Sequence, residues 1–503
     1  MQALSGVDGA FLHLETPQTP MHVGSLHLFT RAAGARGDFA AAVRRQMKQR
    51  LHLAPVLTRR LATMPLQFAN PVWVEERDVD LDWHVQRIAV PAPGTQAELE
   101  DCVAALHSQL LDRSRPLWRI WVLDGLASGE VGYYVQVHHA LLDGKAGVLL
   151  AQALFDATPE PPRLPRGKAR PGEHPGLLAL AATALARDAG LYVKLVRQLP
   201  QALQVIGGLL GAGAPKRRSG EGDGRMRQNL AFGPKTALNV PIGPERGFAA
   251  VSVPLETLKA LAAAHEAKLN DVVLALCAGM LRRWLKAHGG VPRKPLLASM
   301  PISLRAGGDT EFTTKATLSL VNLHTDIAHP LRRLHAIRDA AGAVKSVARQ
   351  ARGVIPTDFP SLGAPWLLQG LASLYGSRLA GALPPLANLV ISNVPGPREP
   401  LYLAGARMSC YWPLSIVEHG VGLNVTVMSY AGSMGFGFTT ARAAVGDARE
   451  LSAALLEALD ELVAASHPKK PARAAPAPAR TDARGTPAAE SEPKRRAARR
   501  ALP

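Results

Sequence analysis

Residues 133–155 constrain the fold more than any other stretch. Tyr133–His138 alternates in polarity and is rich in β-formers, two histidines close the run, and Gly144–Phe155 takes up a helical period. A strand passing through a tight turn into a helix is the unit of an α/β fold. The rest of residues 1–156 repeats it. Phe39–Leu51 reads as a helix with Asp38 placed to cap it, Val72–Arg77 as a strand, Ala97–Leu111 as a helix and Arg119–Leu123 as a strand.

A second α/β block starts at Gly247. Phe248–Val253 is a predicted strand, and Leu255–Ala267 a helix with Pro254 suited to its first turn. Asn270–His288 is a long helix with Asn270 at its N-cap and Gly289 just past its end. Leu296–Ile302, Ala316–Leu323, Leu389–Ser392, Val421–Tyr430 and Met434–Thr439 read as strands, the last two as a hairpin around Ala431-Gly432-Ser433, and Arg449–Ala465 as a closing helix. Between the blocks, 158–175 is rich in Pro, Arg and Gly. Leu177–Leu210 then carries one apolar stripe through Tyr192, Leu195, Val196, Leu199, Leu203, Ile206 and Leu210, with Pro200 placed to kink it. That stripe suits a helix packed on the protein or one lying in a lipid surface. The expected organisation is 1–160 as a first domain, 161–246 as a basic connector with amphipathic helices, 247–466 as a second domain and 467–503 as a disordered tail.

Charge separates these segments. The 503 residues carry a net +18, of which the last 37 residues supply +7 and residues 161–235 supply +9, while residues 1–160 come to −3. The basic segments lack interleaved aromatics, which argues against nucleic acid and for an anionic lipid surface or a solubilising tail. Cys102, Cys277 and Cys410 are too few and too scattered for a disulfide framework, and no zinc spacing is present. The N-terminus lacks a basic and apolar leader, and the uncharged run 198–215 holds too many Gln, Pro and Gly for a membrane span, so a cytoplasmic protein is expected.

The chemistry gathers at His138-His139-Ala140-Leu141-Leu142-Asp143-Gly144. Neighbouring residues on a strand point to opposite faces, so the two imidazoles do not naturally share a metal ion. One faces the interior and the other a cleft, where an imidazole can accept a proton near neutral pH. A core histidine pair beside a capped helix is the plainer reading of the same residues.

That segment reads HHxxxDG, the signature of the coenzyme-A-dependent acyltransferase superfamily, which includes peptide-synthetase condensation domains. The chain more specifically resembles the bacterial wax ester synthase/acyl-CoA:diacylglycerol acyltransferase family. Leu4-Ser5-Gly6-Val7-Asp8-Gly9-Ala10-Phe11-Leu12 and Pro20-Met21-His22-Val23-Gly24 are similar to its opening, and Ser114-Arg115-Pro116-Leu117-Trp118 to its PLW block. Leu238–Gly243, Leu269-Asn270-Asp271-Val272, Pro301-Ile302-Ser303-Leu304-Arg305 and Ser392-Asn393-Val394-Pro395-Gly396-Pro397 continue the resemblance in family order, over about residues 3–465.

The resemblance implies two chloramphenicol-acetyltransferase-like domains joined by a helical connector, with an active-site tunnel between them. It implies transfer of a long-chain acyl group from acyl-CoA, a substrate rather than a cofactor, to a fatty alcohol or diacylglycerol. His139 is then the general base, with His138, Asp143 and Gly144 supporting the motif and no metal or cofactor needed. Asn270, Asp271 and Asn393 are candidates for substrate binding, and the oxyanion donor is either the backbone N–H groups after His139 or the side chain of Asn270, which also reads as an ordinary cap. Pro116, Leu117, Trp118 and Arg305 are structural candidates, Arg305 as the partner of Asp143. The implied location is peripheral, on the inner membrane or lipid inclusions, and a homodimer is compatible with it. Another alcohol or amine acceptor, and a non-catalytic coat on lipid inclusions, are the competing readings.

Overall fold

The computed structural model describes residues 2–4, 6–62, 71–141, 144–160, 176, 232–303, 316–350 and 385–467. The connector stripe 177–210, residues 211–224 of the basic connector and the tail from 468 lie outside the described residues, as do Leu142, Asp143 and Arg305.

The first half supplies strands β1 (Gln2–Ala3), β2 (His22–Thr30), β3 (Arg59–Ala62), β4 (Val72–Glu75), β5 (Val85–Ala89), β6 (Trp118–Asp124) and β7 (Val131–His138). Its helices are α1 (Gly6–Leu14), α2 (Phe39–Arg50), α3 (Leu81–His84), α4 (Gln96–His107) and α5 (Gly144–Leu154). Asp38 caps α2 by accepting from the N–H groups of Ala40 (2.8 Å) and Ala41 (3.3 Å). Thr95 and Glu98 close a capping box at the start of α4.

The second half supplies β8 (Arg246–Pro254), β9 (Leu297–Ser303), β10 (Ala316–Asn322), β11 (Leu389–Val394), β12 (Tyr402–Leu403), β13 (Ala406–Leu414), β14 (Leu423–Tyr430) and β15 (Ser433–Ala441). Its helices are α6 (Leu255–Ala264), α7 (Leu269–Ala287), α8 (Pro330–Gln350) and α9 (Arg449–Ser466). Val272–Leu281 is buried without a break, because α7 is covered by α6, α8 and α9 and shares one apolar core with the strands of the second sheet. On α9, Leu451, Ala454, Leu455, Ala458, Leu459 and Leu462 form the buried stripe expected of a one-sided helix. The β14–β15 hairpin turns on Ala431 and Gly432, both with positive φ (44° and 86°), the conformation that a two-residue turn between twisted strands requires.

Two six-stranded mixed sheets result, ordered β12-β13-β2-β7-β6-β5 and β10-β9-β11-β14-β15-β8, beside a small sheet β1-β4-β3. The fold is mixed α/β, as the sequence led us to expect, but the halves exchange chain. β12 and β13 come from the second half and complete the first sheet, with Arg407–Leu414 running antiparallel to Gly24–Thr30 on β2. β13 also passes over β15. A Cβ at Gly435 or Gly437 would collide with the carbonyl oxygens of Tyr411 and Pro413, so only glycine lets the two sheets approach there. Sequence reading assigned no strand to 406–414. Pro413 and the register shift between Met408 and Cys410 break the alternation that would have revealed it.

Candidate active site

β7 lies between β2 and β6 and is buried along nearly its whole length, so its C-terminal end emerges inside the molecule. His138 ends the strand and is 0 % exposed, whereas His139, the next residue, is half-buried. The two adjacent imidazoles are thus unequally buried, one wholly inside and the other partly accessible.

Backbone bonds fix both residues. The His138 N–H donates to the Leu117 carbonyl and the His139 N–H to the Met21 carbonyl, each at 2.9 Å. Leu117 and Trp118 are fully buried, and the Trp118 indole N–H donates to the Leu57 carbonyl at 2.8 Å. Pro116, Leu117 and Trp118 therefore anchor the strand end beside the histidines through packing and one backbone bond. The turn beyond β7 closes on His138 itself. Its Nδ1 accepts from the Ala140 N–H at 3.1 Å and its carbonyl from the Leu141 N–H at 2.9 Å. The His139 ring stacks on Phe11, with centroids 4.0 Å apart and planes inclined by 19°.

A carboxylate stands beneath this pair. Glu15 Oε1 lies 3.3 Å from His138 Nε2 and accepts from the Met21 N–H at 3.1 Å. Arg113 donates to Glu15 Oε2 from Nε at 3.1 Å and from Nη2 at 2.8 Å. Burial pushes the Glu15 pKa upward, but the close approach of His138 and the charge and hydrogen bonds of Arg113 outweigh it and hold the carboxyl at about 2. Glu15 thus stays ionised throughout the neutral range. Across the β2–β7 pair, His22 faces His138, and its Nε2 lies 2.7 Å from the His107 carbonyl. His107 continues the chain to the Tyr134 hydroxyl at 2.6 Å. Burial keeps His22 neutral, with its pKa down to about 4, and also pushes His107 well below the usual imidazole value. Neither serves as a base near neutrality, which leaves the half-buried His139 as the accessible imidazole of the group.

Sequence reasoning missed Glu15, Arg113, His22, His107 and the Phe11 stack. The one available signal was an acidic residue just before the Thr16-Pro17-Gln18-Thr19-Pro20 turn that leads into β2. Nothing in its local pattern points to a partner 123 positions away.

The second sheet contributes another cluster. Asn393, on β11, donates from Nδ2 to Asn270 Oδ1 at 3.3 Å, so two of the nominated side chains meet. The expectation that Asn270 caps its helix is corrected: α7 begins at Leu269 with Lys268 at the N-cap. Asn270 sits in the first turn with its side chain turned to β11. Asp271 does the capping, accepting from the Lys268 N–H at 2.9 Å, and is 3 % exposed. Gly396, in the loop after β11, is held by its N–H to Ser429 Oγ at 3.2 Å. Gly144 opens α5, whereas Asp143 and its nominated partner Arg305 lie outside the described residues.

Burial pushes the Cys277 thiol up to about 12 and Cys410 to about 11, so both stay protonated and poorly nucleophilic. Among the described residues, no three His, Cys, Asp or Glu side chains gather to hold a metal ion.

Comparison with known proteins matches residues 4–273 to the wax ester synthase/diacylglycerol acyltransferase catalytic domain and residues 314–463 to the C-terminal domain of the same family. A putative diacylglycerol O-acyltransferase of Mycobacterium tuberculosis is 38% identical over 466 residues, spanning 91% of this chain and 99% of the relative. A probable diacylglycerol O-acyltransferase of the same organism is 33% identical over 467 residues, spanning 90% and 97%. Among solved structures, the wax ester synthase/diacylglycerol acyltransferase from Marinobacter aquaeolei VT8 aligns with a TM-score of 0.67 at 30% identity, covering 93% of this chain and 100% of that one. The first condensation domain of the CDA synthetase shares the fold, with a TM-score of 0.52 at 14% identity over 93% of this chain and 95% of that one.

Proposed function

Because the chain belongs to the wax ester synthase/diacylglycerol acyltransferase family and is an acyltransferase, we propose that it transfers a long-chain fatty acyl group from acyl-CoA to the hydroxyl of a fatty alcohol or diacylglycerol, with His139 as general base. An alcohol is a poor nucleophile at neutral pH. His139 takes its proton as the oxygen attacks the thioester carbonyl, and returns that proton to the coenzyme A thiolate as the tetrahedral intermediate collapses. Transfer is direct, in a ternary complex, without an acyl-enzyme.

The observation that carries this reading is the pairing at the end of β7. His138 is wholly buried and bonded into its own turn, while His139 is half-buried with its ring seated on Phe11. One imidazole organises and the other is left to meet a substrate. The developing oxyanion needs donors. The first two N–H groups beyond His139, those of Ala140 and Leu141, are already engaged with His138. That favours the side chain of Asn270: its Oδ1 accepts from Asn393, which leaves Nδ2 as the donor. Asp143 and Gly144 support the motif loop in this scheme, Arg305 pairing with Asp143, and Asp271 holds the start of α7.

The substrates meet in a tunnel between the two domains, and the basic connector and tail draw the protein to an anionic lipid surface. No described helix is long and apolar enough to cross a membrane. The test is coenzyme A release from palmitoyl-CoA, with hexadecanol and dioleoylglycerol offered separately. Release that depends on either acceptor supports the reading, and their ratio assigns the acceptor class. Folded protein that releases no thiol with either, but does so with a hydrophilic alcohol or an amine, would overturn the acceptor assignment.

A further inference from the structure

The N-terminal segment 11–22 gives no group to the reaction proposed above, yet it closes a ring around the side chain that performs it. Glu15 Oε1 accepts from the Met21 N–H, the Met21 carbonyl accepts from the His139 N–H, and His138 leads back through Nε2 to Glu15 Oε1. Within that ring the His138 tautomer is set. Nδ1 accepts from the Ala140 N–H, so the proton of the neutral ring sits on Nε2, facing the carboxylate. Arg113 ties the ring to α1. Its Nη2 donates both to Glu15 Oε2 at 2.8 Å and to the Leu12 carbonyl at 2.6 Å, one residue from Phe11, on which the His139 ring rests. The second half also grips the segment. Arg246, at the start of β8, donates to the Gln18 carbonyl and, through its backbone N–H, to Ser108.

We infer that Glu15, held by Arg113, is the positioning residue of the acyl-transfer base: it locks the His138 turn and the Phe11 stack between which the His139 imidazole is aimed. The inference rests on His139 being that base. Glu15 is 3 % exposed at its side chain and reaches no open surface, so it acts through the two histidines and not on substrate. A carboxylate beneath a histidine fixes tautomer and ring orientation, and behind a metal-bound histidine the loss of such a partner costs about 10–100-fold in affinity or activity. A base displaced by a fraction of an ångström loses rate without losing substrate affinity.

Glu15→Gln preserves volume and one acceptor oxygen but presents an NH2 group to Arg113 or to His138. The expected result is a fall in kcat of about 10-fold or more, with KM for palmitoyl-CoA and for the acceptor within about 3-fold. A purely structural role would not produce that split. Placed on His139→Ala, the same substitution lowers the residual rate less than about 2-fold, because the group it positions is gone. Nitrogen-15 NMR of histidine-labelled protein, with His138→Gln for assignment, gives a readout independent of turnover: the Nε2–H tautomer of His138 in the parent and its loss or mixing in Glu15→Gln. Arg113→Gln, at a side chain 45 % exposed, is the milder variant if Glu15→Gln does not fold, and is expected to lower kcat about 3–10-fold with KM unchanged. An unchanged kcat in whichever variant folds, an unaltered His138 tautomer, or a full multiplicative loss on His139→Ala would overturn the inference. Full activity of His139→Ala itself would instead remove the base assignment on which it rests, a different and separable result.

Discussion

Arg50 and Asp156 form a buried ion pair that fastens three parts of the chain. Their side chains are 5 % and 2 % exposed. Asp156 also accepts from Gln46 Nε2 at 3.0 Å, and its backbone bridges to Tyr402 in both directions at 2.8 Å, so the pair sits where β12 joins the first half. Asp156→Ala leaves the guanidinium buried, with only the carbonyls of Ala153 (3.4 Å) and Phe155 (3.2 Å) to face it. An uncompensated buried charge of this kind costs about 3–5 kcal/mol. Replacing both partners, Arg50→Met with Asp156→Leu, removes the orphan and costs under about 1 kcal/mol. Buried tryptophans lie in both halves, Trp73, Trp118 and Trp121 in the first and Trp284 and Trp412 in the second, so urea unfolding followed by tryptophan fluorescence reports on both. With a slope of about 3 kcal/mol/M, the single substitution moves the midpoint down by about 1 M or more, and the double restores most of it. A midpoint shift below about 0.3 M for Asp156→Ala would mean that water reaches Arg50. A double variant as unstable as the sum of the singles would refute the coupling.

Three further outcomes follow from the packing. Glu100 accepts from Gln96 and from the Ala250 N–H, and burial raises its pKa to about 6. A carboxyl raised from 4.5 to about 6 opposes folding progressively as pH rises through that interval, so Glu100→Gln adds up to about 2 kcal/mol at pH 7.5 and nothing at pH 4. Equal shifts in the urea midpoint at both pH values would contradict this. His22, held neutral to about pH 4, takes its proton in the unfolded chain first, so stability falls by about 3 kcal/mol as pH drops from 6.5 to 4. His22→Gln flattens that part of the curve, and an unchanged acid limb would refute the assignment. Gly437→Ala drives a Cβ into the Pro413 carbonyl and costs about 3 kcal/mol, whereas Gly432→Ala strains only an open turn and costs about 1 kcal/mol. The reverse order in thermal or urea unfolding would show that the sheet crossing tolerates side chains.

What could be read from the residues alone was whatever leaves a local trace. The strand ending in His138-His139 and the helix from Gly144 carry periods of two and 3.6, and Asp38 carries a cap signature, so each stands within a residue or two of its expected bounds. The exchange of β13 into the first sheet has no such trace. It pairs residues 24 and 414, and nothing in a Pro-containing, bulged stretch announces a partner so far away. The site divides the same way. His138 and His139 are visible because they are adjacent in sequence, and the meeting of Asn270 with Asn393 joins two short motifs that were already suspect. Glu15 becomes meaningful only once β2 is laid against β7 and Arg113 arrives from the loop before β6. Asn270 was misplaced as a cap because Asn-Asp at a helix start satisfies the cap pattern in either frame, and the backbone, not the sequence, decides that Asp271 fills the role.

Whether His139 moves the proton in a direct acyl transfer is decided by single-turnover measurement of ester formation from palmitoyl-CoA and the preferred acceptor, in the parent and in folded His139→Ala. The expected result is a loss of about 100-fold or more in the chemical step with substrate binding retained, and no acyl group left on the protein at any time. Ester formed at the parent rate by His139→Ala, or a covalent acyl-enzyme trapped during turnover, would contradict it.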